Sequence, residues 1–517
     1  MRTMTGLALS AIALAACGGG GGTNIAPAAW QSGVFNAASS FAAKCAIPRT
    51  GIDPFTNAAF PDRAGSVLYE NNWLRSWSND LYLWYSEIAD QNPSLFSTTA
   101  AYFKVLKTTA ATASGAAQDK FHFTYPTKDW EALSRNGQQA GYGAQWITLA
   151  ATPPRRLVVA YTEPGSPATA AAANLARGAE VLRVDNVDFV NDTTQAGVDV
   201  INAGLSPAAA NETHTLQIRD QGAVNTRNVT LVSALITSHP VQNAGPLAAT
   251  GGAVGYMLFN DHLATSESAL VSAFTQLQAA GVTDLMLDIR YNGGGYLDIA
   301  SEVAYMIAGP GPTAGMTFEL AQFNGKHPTI DPVTGQTIAP VAFKSTTQGF
   351  STTKGQALPH LDLLRVYVLT SSNTCSASEA IINGLRGVGV AVIQIGSTTC
   401  GKPYGFYPED NCGTTYFSIE FRGVNAANFG DYTDGFSPQN APARAGVSLP
   451  GCSVADDFTH ALGDPAEGRL AAALNYRSNS TCPAATGLAK ALRAQAMSAV
   501  DGDLSISPLR QLRILRR

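Results

Sequence analysis

Charge is scarce in this chain of 517 residues. Lys, Arg, Asp and Glu together make up 14% of it, and the net charge at pH 7 is −5. That balance carries no electrostatic footprint for nucleic acid, and no nucleic-acid partner is expected. No two cysteines stand in Cys-x-x-Cys spacing, which argues against zinc, and no metal or cofactor is expected. The early apolar run, Gly6 to Ala16, falls short of the roughly 20 residues that a membrane-spanning helix needs. What is present points to packed cores: 45% of the residues are hydrophobic, and the length implies two to four domains.

The apolar run follows Arg2 and ends in Leu14-Ala15-Ala16-Cys17. This order reads as an export signal closed by a lipoprotein cleavage box, residues 1–17. Cys17 would become the lipidated first residue, and Gly18 to Gly22 a flexible tether. The expected location is outside the cytoplasm, as a periplasm-facing or surface lipoprotein of the outer membrane, held by a lipid anchor. An ordinary secretory signal with a coincidental cysteine is the alternative. Six cysteines remain, an even number that in an exported chain suggests disulfides, with 15 possible connectivities. Cys400 and Cys412 flank a loop carrying Lys402, so their pairing would brace it. Buried thiols are the alternative.

Residues 18–60 read as tether and irregular segment. Tyr69, Trp73, Trp77, Leu81 and Trp84 fall at helical spacing and predict the core face of an N-terminal helical domain, 61–130. Leu95 to Ala111 would supply a second helix, and Asp119 to Tyr125 a link. A β-rich domain over 138–236 follows, with strands at Leu157–Tyr161 and Val181–Val184 around a short helix at Ala168–Leu175. An α/β core over 245–480 is signalled by strand, helix, strand at Val254–Phe259, Ser266–Ala280 and Asp284–Ile289, an order that makes a parallel βαβ unit. A helix at Leu297–Ile307 and strands at Leu364–Leu369 and Val390–Ile395 continue it, and Leu470–Tyr476 looks helical. Residues 481–517 read as a tail.

The chemistry concentrates in two places. Ser376-Ala377-Ser378-Glu379 opens a predicted helix, and Gly401-Lys402-Pro403 follows the next strand. A serine with glutamate three residues on is also a helix capping box, which is a structural role. The same position offers the positive potential of a helix N-terminus to an oxyanion, with Ala377 N–H as the first donor. Lys402 can activate a serine only when neutral, which burial favours. The second place is Asp288-Ile289-Arg290-Tyr291-Asn292-Gly293-Gly294-Gly295, where glycines between strand and helix let backbone approach a substrate.

These motifs resemble those of the C-terminal processing peptidases, or tail-specific proteases, over roughly residues 141–405. The resemblance implies a Clp protease/crotonase-like α/β core and no cofactor. It makes Ser376 the nucleophile and Lys402 the base of a dyad, with Ala377, Gly294 and Gly295 forming the oxyanion site. Arg290 and Asn292 would hold the loop. The serine-to-lysine spacing is one residue longer than usual, within Val392–Gly396. The β-rich segment resembles a PDZ domain, in which Gly141, Tyr142, Gly143 and Ala144 stand where the carboxylate-binding loop belongs, although Glu180 and Trp146 depart from the usual residues. Its implied partners are proteins or peptides held by their C-termini, as an added strand. Many members carry Gln four residues after the lysine; here that position is Phe406. The expectation is an exported serine endopeptidase. Two alternatives stand beside it: an inactive PDZ-type binding lipoprotein, and a tricorn-like Ser-His-Glu peptidase, for which His360, itself read as structural, is the candidate.

Overall fold

Aromatic residues four positions apart make one face of helix α1 (Val67–Leu81), where Trp73 and Trp77 stack at 5.2 Å. The computed structural model describes residues 30–248, 253–442 and 446–483, and beyond them the backbone of 503–505 and 513–514. Cys17, the expected leader and the glycine tether lie outside the described residues, as does most of the 481–517 tail. Helix α1 stops at Leu81, so Trp84 sits past its end and meets Tyr404 edge-on at 4.8 Å. Of the second helix expected over Leu95–Ala111, only Thr99–Phe103 is helical. Beyond it Thr108 N–H donates to the Tyr82 hydroxyl and Ala110 N–H to Thr108 Oγ1, both at 3.0 Å, side-chain partners that replace helical ones. Phe123–Pro126 then pairs antiparallel with Thr414–Phe417, so the expected link is a strand joined to the core.

The β-rich domain is an antiparallel sheet of β1 (Ala144–Ala150), β2 (Arg156–Thr162), β3 (Glu180–Val184), β4 (Thr213–Arg219) and β5 (Arg227–Val232). Their spatial order is β5-β4-β3-β2-β1. Trp146, Val159, Val181 and Leu216 fill its own core, while Ile147, Val158 and Ala160 pack on the neighbouring domain through Tyr256, Leu258 and Met286. The helix expected at Ala168–Leu175 is only a 3₁₀ turn, Pro167–Thr169. The chain reverses there, with Leu175 N–H returning to the Ala168 carbonyl at 2.9 Å.

The core sheet takes β6 (Val241–Leu247), β7 (Val254–Phe259) and β8 (Asp284–Asp288), followed along the chain by the short β9 (Gly295–Tyr296) outside that sheet. It continues with β10 (Arg365–Thr370) and β11 (Ala391–Gly396), then passes the short β12 (Tyr404–Gly405) to reach β13 (Gly451–Ser453). The order is β6-β7-β8-β10-β11-β13, with β6 antiparallel and the remaining neighbours parallel. Every residue of β7 is buried, as in a sheet covered on both faces. Helices α2 (Ser266–Ala279), α3 (Leu297–Ala308) and α4 (Ala377–Gly387) cover one face with Phe274, Val303 and Ile381. Helix α5 (Gly468–Asn479) covers the other with Leu470 and Ala473. The molecule is thus a mixed α/β core preceded by a β-rich domain.

Three disulfides form: Cys45–Cys412, Cys375–Cys400 and Cys452–Cys482. The Cys400–Cys412 pairing expected around Lys402 does not. Parallel pairing of β10 with β11 carries Cys375 beside Cys400, Cα to Cα 5.1 Å, while Cys412 sits on a hairpin against the N-terminal segment. Two strands of the tail complete the topology. β14 (Asp503–Ser505) adds antiparallel to β1, and β15 (Arg513–Ile514) runs parallel to β9.

Candidate active site

The turn between β10 and α4 presents Ser376 at the helix N-cap, fully buried, with φ +61° and ψ −116°. That backbone region disfavours a residue with a Cβ, at a cost of order 1–3 kcal/mol, and persists only where surroundings impose it. Here the glycine-loop segment imposes it. The Thr374 hydroxyl donates to the Ile289 carbonyl at 2.9 Å, and Ser371 Oγ donates to that of Arg290. Cys375 N–H and Ser378 Oγ both donate to the Asn292 carbonyl, at 3.1 and 3.0 Å. Two motifs far apart in sequence therefore form one structure.

Glu379 stands at the third position of α4 and is fully buried. Its Oε2 accepts the N–H of Ser376 at 3.0 Å and that of Lys402 at 2.8 Å. Its Oε1 accepts Gly401 N–H at 2.9 Å and Thr399 Oγ1 at 2.5 Å. The capping-box glutamate thus also fastens the lysine loop to the serine. Burial raises its pKa, while Thr399 and the three N–H donors act against that shift. The Cys375–Cys400 disulfide joins the same two loops covalently.

Lys402 is fully buried. Burial lowers its pKa to about 7, against the pull of Asp119 and Glu379. Its Nζ lies 4.8 Å from the Phe121 ring centroid and 4.4 Å from that of Phe406. Gly401 must be glycine: φ is +81°, and a Cβ would meet the Thr433 carbonyl at 2.2 Å. The Ser376 side chain lies over the Glu379 N–H in the capping-box arrangement, and no hydrogen bond joins its hydroxyl to Lys402.

In the glycine loop, Gly294 N–H donates to Asn292 Oδ1 at 2.9 Å, and Asn292 Nδ2 donates to the Phe259 carbonyl at 3.0 Å. Gly295, at φ +137°, begins β9 against His262, whose carbonyl a Cβ would meet at 2.4 Å. Arg290 is buried among Asp288, Asp456 and Glu467, at 2.8, 2.7 and 2.7 Å. Both Arg290 and Asn292 hold the loop. Ala377 is the first residue of α4, and its N–H therefore has no carbonyl partner within the helix. Gly141 ends a strand, Gln138–Gly141, paired with Ala234–Thr237; Tyr142 and Gly143 link it to Ala144, the first residue of β1. Tyr142 is turned into the domain core, its hydroxyl donating to the Gly204 carbonyl at 3.1 Å.

Asp119, Phe121 and His262 were not anticipated. Asp119 accepts from the Tyr82 hydroxyl at 2.7 Å and from Phe121 N–H at 2.9 Å, which brings the N-terminal region against Lys402. His262 is buried with Nδ1 3.0 Å from Asn292 Oδ1, and burial lowers its pKa to about 3. His360 pairs with Asp362 at 2.9 Å and is part-exposed. Among the described residues, Cys375, Glu379 and Cys400 form the one cluster of metal-type donors, and its two cysteines are consumed by their disulfide.

Residues 253–405 match the model of Peptidase family S41. A carboxyl-terminal-processing protease of Picosynechococcus is 27% identical over 245 residues, 46% of this chain and 49% of the relative. The chloroplastic C-terminal processing peptidase of Tetradesmus obliquus is 31% identical over 187 residues, 34% of this chain and 38% of the relative. The chain thus spans half or less of the length of these curated relatives. A crystal structure from Bacteroides fragilis described as an S41 protease superposes with a TM-score of 0.58 at 23% identity, covering 79% of this chain and 97% of that one. That likeness establishes a shared fold.

Proposed function

We propose that this protein is a serine-type peptidase in which Ser376 is the nucleophile and Lys402 the general base. The observation that carries the reading is the burial of Lys402 with its pKa near 7, its loop fastened to that of Ser376 through Glu379 Oε2. A neutral amine at working pH can take the Ser376 proton as Oγ attacks the scissile carbonyl. Ala377 N–H and the Gly295 backbone would face the developing oxyanion, while the Gly294 N–H expected to join them is held by Asn292 Oδ1. The lysine then returns its proton to the leaving amine, and water, activated by the same amine, releases the acyl group from Ser376. Both curated relatives are named for C-terminal processing. Protein or peptide substrates held by their C-termini at Gly141–Ala144 extend that reading to the PDZ-like domain. Three disulfides suit an oxidising compartment. We place the chain outside the cytoplasm, anchored to the outer membrane through lipid on Cys17.

Ser376→Ala tests the assignment. It should abolish cleavage of an unfolded reporter protein while the melting temperature stays within a few degrees of wild type. Full activity in that variant would remove Ser376 from the mechanism. A wild-type protein that binds C-terminal peptides but cleaves none would favour the binding-lipoprotein reading.

A further inference from the structure

A cavity of about 420 Å³ lies beside the lysine loop, a size that suits a small ligand or a few atoms of a larger one. Part of its lining is one rung of a sheet. Strand Phe421–Val424 pairs antiparallel with Thr317–Phe323 on one side and with β12 on the other. That register sets Gln322 and Tyr404 each directly opposite Arg422, so the three side chains share one face. Leu83 and Trp84 of the N-terminal region make another wall. Leu83 N–H donates to the Ile419 carbonyl at 2.8 Å, and Trp84 meets Tyr404 edge-on, which fixes that wall against the sheet. The lining also borders the catalytic loop. Tyr404 stands two residues past Lys402, and Thr433 is the residue whose carbonyl crowds Gly401.

The chemistry of the lining is one-sided. Among the described residues that form it, Arg422 alone is charged. It is exposed, and its guanidinium donates to an amide oxygen, Gln322 Oε1, at 2.9 Å. Asp434 lies outside the lining and accepts from the hydroxyls of Thr112 and Ser114 at 2.6 and 2.5 Å. A guanidinium set beside aromatic surface suits a carboxylate carried on an apolar body.

We propose that this cavity is a substrate subsite for a carboxylate-bearing peptide residue, with Arg422 as its specificity-determining group. Its place in catalysis rests on the peptidase reading; the binding itself does not. Calorimetric titration of the full-chain Ser376→Ala protein compares three peptides of one apolar sequence. One carries an internal glutamate and an amidated end. The second has glutamine there and a free C-terminal carboxylate, and the third has glutamine and an amide. At least one of the first two should bind about ten-fold or more tightly than the neutral third, as a charge-assisted hydrogen bond provides. Which one does so separates an acidic side chain from a chain end. Adding Arg422→Gln should bring that ratio close to one. Equal binding of all three peptides, binding of none, or a ratio that survives Arg422→Gln overturns the proposal. An Arg422-dependent ratio in a protein whose wild type cleaves no reporter upholds the binding site and removes the peptidase reading instead.

Discussion

Arg290 and Lys402 both lie fully buried, and they end in opposite states. Burial opposes the charge of both. Around Arg290 the carboxylates of Asp288, Glu467 and Asp456 outweigh it, and the pKa rises well above the ordinary arginine value. Around Lys402 the rings of Phe121 and Phe406 lie 4.8 and 4.4 Å from Nζ, Asp119 and Glu379 compensate only in part, and the pKa falls to about 7. Company therefore decides the outcome, and burial alone does not. A guanidinium suits the structural post because its fixed donors match carboxylates, whereas an ammonium can give up its proton. The first holds the glycine loop in place; the second is left able to act as a base.

Exchanging either cation for methionine breaks the comparison in a different way. Lys402→Met should lower kcat by about a thousand-fold or more, as expected when a nucleophile loses its base. It should not cost stability. The unfolded lysine titrates near 10.4 and the folded one near 7, so folding must discharge it at any pH between those values. The penalty is complete below pH 7, at up to about 4 kcal/mol, and vanishes above roughly pH 10. Urea unfolding at pH 6 and pH 9 should show the variant gaining more over wild type at the lower pH. Arg290→Met should do the reverse, leaving Asp288 and Glu467 without their guanidinium while Asp456 keeps Arg177, and costing about 3–5 kcal/mol. The same urea series measures it, and a loss below 1 kcal/mol would contradict the structural role. The smallest effect is expected from Phe406→Gln. A polar side chain 4.4 Å from Nζ eases desolvation and should move the activity midpoint up by about one pH unit or less.

Local pattern made the core legible. Val254–Phe259 coincides with β7, and the helices expected at Ser266, Leu297 and Leu470 lie where the period placed them. Both chemical motifs could be read because each is contiguous: a serine before a helix, glycines after a strand. What surrounds them could not. Asp119 and Phe121 lie in a segment that reads as a link, and nothing local tells that they close over a lysine far along the chain. His262 carries no motif; only the pairing at Gly295 shows where it sits. The cysteine pairing depended on strand order, which sequence spacing does not reveal. Ala168–Leu175 misled through its composition, alanine-rich yet too short to nucleate a helix against the reversal that the fold requires.

The central claim is that Lys402 works as a neutral base, and the pH dependence of kcat/KM on a peptide substrate addresses it most directly. The account predicts an activity that climbs with pH through a single ionisation near 7, with the acid limb persisting in a His360→Ala variant, since His360 lies outside the site. It also predicts no contribution from His262, whose charge is suppressed down to about pH 3. An acid limb centred near 6 and abolished by His360→Ala, or activity that stays level down to pH 5, would contradict it.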